Sequence, residues 1–371
     1  MLLLTALSAA LLCSVQACAE ERRIPDEIMG TQESDALEAL SLEAGFSARG
    51  MIGQLIAGEA RLDLSTLREW GRQFLAQAKA ELTGVLFGIC VPVLASLLIR
   101  TVIHDQSDLA GGAGLLCRLA CARVLLIAFA SAREATGALL EKAGEAVRAV
   151  APVLASVSCA TGSVSGMLSP AAQLYAAAVE KALGGAGVSL CGVAAAVAAA
   201  GNLSAHIRLN RFFAFLKSVI GWMIGLLIAA FVCFLTAQGY LAAAQDTVAR
   251  RSARYVVGNA VPIIGGELSG AVDSIVGSAG LIRGAVGVTG GFLLICACAN
   301  PLLKAASTVL SMKLAAAIIE PAAERGVSAM ASQFSDAAEM LLSLCAAGVV
   351  LAMLTLGTML AAGANMFAAG A

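Results

Sequence analysis

Residues 254–273 read RYVVGNAVPIIGGELSGAVD. A proline and four glycines interrupt this apolar run, which also holds the carboxylates Glu267 and Asp273. The surrounding chain is 59% hydrophobic and only 13% charged. Irregular backbone at membrane depth is tolerated only where protein or a water-filled cavity satisfies its amide groups. The stretch therefore predicts a broken membrane segment beside a pathway or an assembly surface, rather than a catalytic site.

The composition of the whole chain is typical of an integral membrane protein. Its 371 residues carry a net charge of −1, and the apolar share exceeds that of soluble domains. The sequence predicts an all-α, polytopic helical membrane protein with about 6–8 membrane segments, the lipid bilayer being its surroundings. The near-neutral charge gives no basic surface for nucleic acid, so no nucleic-acid partner is expected.

The N-terminus resembles a secretory signal peptide. An apolar run is followed by Ala17, Cys18 and Ala19, which form an A-x-A cleavage site before Glu20. We therefore expect a signal peptide over residues 1–19. No Lys or Arg precedes Glu20, so the positive n-region is missing, which a start codon set too late would explain. In the alternative interpretation, Cys18 is the lipidated residue of a lipoprotein.

Two further regions follow the signal peptide. Residues 20–80 hold much of the charge and are predicted to form an extracytoplasmic helical segment. Within it, Thr66 and Glu69 fit a capping box, which predicts a helix that starts near Leu67 and runs into the first membrane span. Residues 81–371 are predicted to form the polytopic transmembrane domain.

Long apolar runs predict six spans, because each is long enough to cross the hydrocarbon layer. Two more apolar stretches contain prolines and glycines and are predicted to be re-entrant or broken hairpins. The predicted spans are 83–99, 110–131, 186–205, 218–240, 284–303 and one within 340–371; the predicted hairpins are 149–179 and 258–282.

The orientation of the spans is only partly determined. The acid-free loop 208–217 should be cytoplasmic by the positive-inside rule, which places the N-terminus outside. Segment 241–257 would then lie outside although it holds three arginines. Asp246, Arg250 and Arg254 are spaced to share one helical face and pair there. A different topology is equally open.

Ionisable residues within apolar segments are costly and need a partner or water. Glu267 and Asp273 are expected either to line a polar path or to pair with Arg283. In the alternative, the two arginines of the second span extend to the membrane surface and the other groups lie at interfaces. The charged candidates are Arg118, Arg123, Glu267, Asp273, Arg283, Lys304, Lys313 and Glu320; the candidate pathway and packing set is Pro262, Gly265, Gly266, Glu267, Asp273, Arg283 and Glu320.

Motifs that carry catalysis or bind cofactors are missing from the sequence. There is no Walker A loop, no HExxH, no G-x-S-x-G and no Ser-x-x-Lys. The 11 cysteines form no CxxC pair and the chain has 2 histidines, so no metal site is expected. We therefore predict a protein that is not an enzyme and has no catalytic, cofactor-binding or metal-binding residues.

Three blocks of sequence together carry a resemblance to a known family. The first is Asn259-x-x-Pro262-Ile263-Ile264-Gly265-Gly266-x-Leu268-Ser269-x-Ala271-x-Asp273, continuing to Gly287 and Gly290; the second is Lys313-Leu314-Ala315-Ala316-Ala317-Ile318-Ile319-Glu320-Pro321; the third is Leu62-Asp63-Leu64 leading to Trp70. Over roughly residues 50–365 the chain resembles the stage III sporulation protein AE family of endospore-forming bacteria.

The resemblance implies a role in sporulation. Members of that family belong to the stage III A-operon assembly, which includes ring-forming proteins and a secretion-type ATPase. Together with stage II sporulation protein Q, the assembly bridges the two membranes around an engulfed forespore and acts as a channel. The resemblance thus implies a multi-pass protein of the mother-cell membrane that serves as a non-enzymatic subunit. The alternative hypothesis is a stand-alone secondary transporter with broken helices.

Overall fold

The computed structural model describes residues 32–43, 47, 48, 50, 52, 64–102, 107–160, 165–203, 209–260, 265–321 and 325–368. For 238–260 and 265–283 it describes the backbone alone. Within these ranges the regular structure is helical and contains no strand. The predicted all-α class is therefore confirmed. The predicted signal peptide, the lipoprotein alternative and Pro262 lie outside the described residues.

Long helices dominate the described part of the chain. Most exceed the length of about 20 residues that crosses a bilayer. The helices are α1 (Gln32–Glu43), α2 (Leu64–Val102), α3 (Ser107–Ala160), α4 (Ser165–Ala182), α5 (Val188–Leu203), α6 (Asn210–Ala260), α7 (Gly265–Ile319) and α8 (Arg325–Ala368); a single π-helical turn, Leu183–Gly187, joins α4 to α5.

Helix α2 confirms the predicted run from the charged segment into the first span. It begins at Leu64, three residues before the predicted start, and continues without a break to Val102. Pro92 lies inside this helix, as Pro152 lies inside α3 and Pro301 inside α7. Helices of membrane proteins tolerate proline because neighbouring groups satisfy the backbone groups that proline leaves unpaired.

Contacts between side chains fix the directions of the three core helices, α3, α7 and α8. Helices α3 and α8 run parallel, because successive residues of one face successive residues of the other. Helix α7 is antiparallel to both, with Gly290 against Val150 and Gly287 against Leu360. The facing pairs of α3 and α8 are Arg118 and Gly326, Phe129 and Phe334, Thr136 and Cys345, and Leu140 and Gly348.

The other helices surround this core. Helix α2 packs antiparallel to α3, with Gly88 against Val124, and it also contacts α7. Helices α4 and α5 pack against α3 and α8, and α6 packs against α8, α4 and α5. The largest fully buried side chains of the core are apolar, and Leu125, Leu293 and Phe334 are among them.

Six described helical stretches are long and apolar enough to cross a membrane, and each overlaps one of the six predicted spans. Six candidate spans among the described residues therefore match the predicted spans in order. Several stretches are longer than predicted, because the helices continue beyond the charge-free runs. The six stretches are Phe74–Ala95, Gly114–Ser156, Gln173–Leu203, Asn210–Ala237, Gly284–Ile319 and Arg325–Leu360.

Both predicted broken hairpins contain a helix boundary. Helix α3 ends at Ala160 and α4 begins at Ser165, inside the predicted segment 149–179. Helix α6 ends at Ala260 and α7 begins at Gly265, inside the segment 258–282. In each segment, long helices flank a gap of four residues that is not described. Whether either segment re-enters a membrane stays a prediction.

Candidate functional site

A small cavity lies between α3, α4 and α8, at the depth of the candidate spans. Its volume of about 50 Å³ is enough for a few water molecules. Most of its wall is apolar, and four polar residues interrupt that wall. The lining residues are Leu140, Ala143, Gly144, Val147, Arg148, Gln173, Ala176, Ala177, Glu180, Leu183, Gly348, Leu351, Ala352 and Thr355.

Glu180 is the acidic residue of this cavity. Its half-buried carboxylate lies against the backbone of Gly144, where a Cβ atom would overlap it. Any side chain at position 144 would therefore displace the carboxylate. The π-helical turn Leu183–Gly187 begins three residues after Glu180. Single π-turns within α-helices are frequent at functional sites.

The electrostatic surroundings of Glu180 come mainly from α3. Arg148 is its basic neighbour, whereas Glu141 and Glu145 are acidic neighbours. On α8, the hydroxyl of Thr355 donates a hydrogen bond of 2.8 Å to the carbonyl of Leu351. The cavity thus combines a carboxylate, a guanidinium and room for water, a combination suited to hold a water molecule or a small cation or proton.

A second cluster of polar side chains joins α5, α6 and α8, where α5 ends and α6 begins. The amide of the buried Asn202 donates to Gln333 at 2.8 Å, and the amide of Gln333 donates to Asn210 at 3.0 Å. Asn202 also donates to the carbonyl of Ala198 at 2.7 Å. These bonds satisfy a buried amide that would otherwise be costly.

Ion pairs lie close to this amide group. Lys217 on α6 pairs with Asp336 at 3.1 Å, and Lys313 on α7 pairs with Glu339 at 2.8 Å. Each of these four side chains is at least one third exposed. Pairing neutralises groups that would be expensive in hydrocarbon, which is the arrangement expected at a membrane surface. Together with Asn202, Gln333 and Asn210, these residues form a polar belt.

None of the sequence-predicted site residues is among the described residues that line this cavity. Gly265, Gly266, Glu267, Asp273 and Arg283 all belong to the first part of α7, where the structure describes the backbone alone. Their proposed roles, lining a path or pairing, stay predictions.

Glu320 lies at the opposite end of α7. It is exposed in the turn that follows the helix, and its amide donates to the carbonyl of Ala316 at 3.1 Å. The 53 residues from Glu267 to Glu320 span about 80 Å of continuous helix. The structure therefore separates Glu320 from the other members of the predicted set.

Two of the other charged candidates have described neighbours. Lys313 pairs with Glu339, and the guanidinium of Arg118 lies against Gly326 of α8, 3.2 Å from where a Cβ atom would be. Arg123 and Lys304 are exposed on their helices. The exposed Lys313–Glu339 pair suits a position at the membrane surface, which is the alternative that the sequence left open for these charged groups.

Sequence reasoning missed Glu180, Asp336 and Glu339. Glu180 follows the segment predicted as a broken hairpin, and a carboxylate so close to an apolar run was the available signal. Asp336 and Glu339 precede the charge-free run of the last predicted span, so they were left outside the membrane segments. Their partners, Lys217 and Lys313, are distant in sequence, and only the fold brings them together.

The described cysteines are free thiols, and Cys121, Cys191, Cys298 and Cys345 are buried in the bundle. The thiol of Cys345 donates to the hydroxyl of Thr136 at 3.4 Å. Among the described residues, no group of three or more His, Cys, Asp or Glu side chains could hold a metal ion. The buried cysteines fill space in the bundle as small apolar side chains do.

The six long apolar helical stretches define a multi-pass helical membrane protein. The model of the family "Stage III sporulation protein AE" matches residues 46–363, which is most of the chain. The chain therefore belongs to the stage III sporulation protein AE family.

A curated relative gives more limited support. The stage III sporulation protein AE of Bacillus subtilis (strain 168) is 28% identical over 120 residues, covering 32% of this chain. That alignment spans 30% of the length of the relative. No solved structure matches the chain.

Proposed function

We propose that this chain is a membrane-embedded, non-enzymatic subunit of the channel complex that joins the mother cell to the forespore. In this proposal it lies in the mother-cell membrane around the engulfed forespore. It would act there with the ring-forming and ATPase proteins of the stage III A operon and with stage II sporulation protein Q. The observation that carries the proposal is the family match over residues 46–363 of a chain with six candidate membrane spans.

The test is depletion of this chain in its native host. Membrane-stained cells would be imaged together with a reporter of late forespore transcription. Forespores that complete engulfment, then shrink and fail to express the reporter, are the expected result. Normal spores combined with a growth or uptake defect in vegetative cells would overturn the proposal.

The proposed pathway residues allow a sharper version of this experiment. Glu267→Gln and Asp273→Asn would be combined in a chain that complements the depleted strain. We expect spore yield to fall while the protein stays at its normal level in the membrane, because neutral amides replace charges of similar size. Normal spore yield with both residues neutralised would remove them from the pathway.

The cavity at Glu180 favours one second candidate, a secondary transporter. Intramembrane carboxylates in partly hydrated cavities are typical of transport sites. A transporter would take up solute as the purified chain alone in lipid vesicles, and Glu180→Gln would reduce that uptake. Inactive vesicles, together with the sporulation defect above, would leave the subunit of the channel complex as the better proposal.

A further inference from the structure

The second half of α3 carries a charged stripe at the depth of the spans. Every charged side chain from Arg133 to Arg148 is exposed. Most of the uncharged side chains in the same segment point to the opposite face of the helix and are buried. The stripe covers 16 residues, or about 24 Å of helix. We define the charged stripe by its members: Arg133, Glu134, Glu141, Lys142, Glu145 and Arg148.

The partners of this segment place it within the membrane. Thr136 contacts Cys345, and Leu140 lies against Gly348 of α8. Both α8 residues belong to the charge-free run from Met340 onward. This charge-free run is long enough to cross the hydrocarbon layer. The charged stripe lies beside it, from just past the level of Glu339 to deeper along the run, where lipid chains solvate charged side chains poorly.

A different side of the bundle is suited to lipid. Residues 218–237 of α6 hold no charge, and Trp222 and Leu226 are 76% and 56% exposed. Met223 and Leu344 both lie against Gly187, and Cys345, the neighbour of Leu344, contacts Thr136 of α3. Met223 therefore lies at the depth of Thr136, which is within the segment that carries the charged stripe. At one depth, therefore, α6 presents an apolar surface and α3 presents a charged one.

We propose that copies of this chain assemble around a water-filled passage, with the charged stripe of α3 facing the water and α6 facing the lipid. The biological role of the passage rests on the proposed function. Its existence is inferred from the geometry alone. A bundle that presents charged side chains on one side and apolar side chains on the other is suited to form one wall of a water-filled passage. One chain provides one wall, and further walls are needed to keep lipid out.

The charges of the stripe favour further copies of the same chain as the other walls. Three of its members are acidic and three are basic, so the stripe is neutral as a whole. Identical neutral stripes can face each other across water without accumulating charge of one sign. Closed rotational symmetry, the usual arrangement of homo-oligomers, would place them so.

The test uses thiol accessibility in the full-length chain. The 11 native cysteines would be replaced by alanine, and single cysteines introduced by Glu141→Cys or Glu145→Cys. The matched control keeps Cys233 alone, an exposed residue on the apolar side of α6. Each chain would be expressed in bacterial membranes without the partner proteins and treated with a membrane-impermeant methanethiosulfonate, which reacts with thiolates in water.

We expect the stripe cysteines to react on the order of tenfold faster than Cys233, because only they meet water. The protein in lipid nanodiscs should have the mass of two or more copies of this chain, which is 37.3 kDa before any signal peptide is removed. If a stripe variant does not accumulate, Ala138→Cys on the same exposed face replaces it. Stripe cysteines as slow as Cys233 would overturn the proposal, and so would a monomer with reactive stripe cysteines.

These outcomes are separable from the sporulation test. Fast labelling and an assembled chain, together with normal spores in the depleted host, would leave the passage standing and remove the sporulation role. A sporulation defect with an unreactive stripe would do the reverse.

Discussion

Gly287 and Gly290 lie at close contacts between the core helices. A Cβ atom at Gly287 would overlap Leu360 of α8, and one at Gly290 would lie 2.6 Å from a methyl carbon of Val150. Small residues at such contacts let helices of a membrane bundle pack closely. Small residues here let α7 approach α3 and α8 on its two sides, so their role is packing.

Substituting Gly290 should therefore destabilise the bundle. Gly290→Leu would push a larger side chain against Val150, whose branched Cβ limits its rotamers, at a cost of about 1–3 kcal/mol or more. The measurement is unfolding of the purified chain in mixed detergent micelles, followed by circular dichroism.

Gly225→Leu is the control for that prediction. Gly225 is exposed on α6, and an added Cβ atom there meets nothing within 4 Å. Its stability should stay within about 1 kcal/mol of the parent chain, because leucine also has the better helix propensity. Equal losses for both variants would contradict the packing role of Gly290.

At the scale of the helical elements, α3 consists of two different halves. Its first half is apolar and packs beside the early part of α8, where Phe129 meets Phe334. Its second half carries the charged stripe and packs beside the charge-free part of α8. The candidate span Gly114–Ser156 covers 43 residues, or about 64 Å, which is twice the hydrocarbon thickness. The apolar parts of neighbouring helices are therefore staggered along the bundle.

A matched pair of lysine substitutions tests which elements face lipid. Leu226→Lys places a charge on the exposed apolar surface of α6, where insertion should become less favourable by about 2.5–3.5 kcal/mol. Ala138→Lys places the same charge on the exposed face of α3, among residues that are already charged. We expect the first variant to accumulate poorly in membranes and the second to accumulate like the parent chain, as measured by immunoblotting of membrane fractions. Equal accumulation of the two would argue against a two-sided bundle.

Over the whole molecule, stability should be concentrated in α3, α7 and α8. Their facing side chains are almost fully buried, whereas most described side chains of α2 before residue 81 are exposed. Amide protons in a buried core exchange only when the bundle opens, and those of an exposed helical segment exchange through local opening.

Hydrogen exchange measured by mass spectrometry on the chain in nanodiscs should reveal this division. Amides of residues 71–80 should exchange on the order of 100-fold faster than those of residues 286–312. Similar rates in both segments would show that α2 is bound as tightly as the core, or that a further surface covers it in the assembled protein.

The sequence by itself determined the class of the protein, the positions of six candidate spans and the family resemblance. These follow from local features, because a charge-free run of sufficient length must be helical in a bilayer whatever surrounds it. The continuous helix α2 was likewise predictable from the apolar run, although the helix begins at Leu64, so Thr66 lies inside it and does not cap it.

Only the tertiary structure decided which helices share a depth. In the sequence, residues 133–148 look like a soluble extension of the second span, because their charges exclude them from lipid. Parallel packing against α8 places them beside its charge-free run, and that placement depends on contacts between residues some 200 positions apart. Glu180 and Gly144 likewise meet only because α4 packs against α3. The length and charge of one helix decide whether it can cross a bilayer. The fold decides which neighbouring residues pair with its charges and which of its faces meet water.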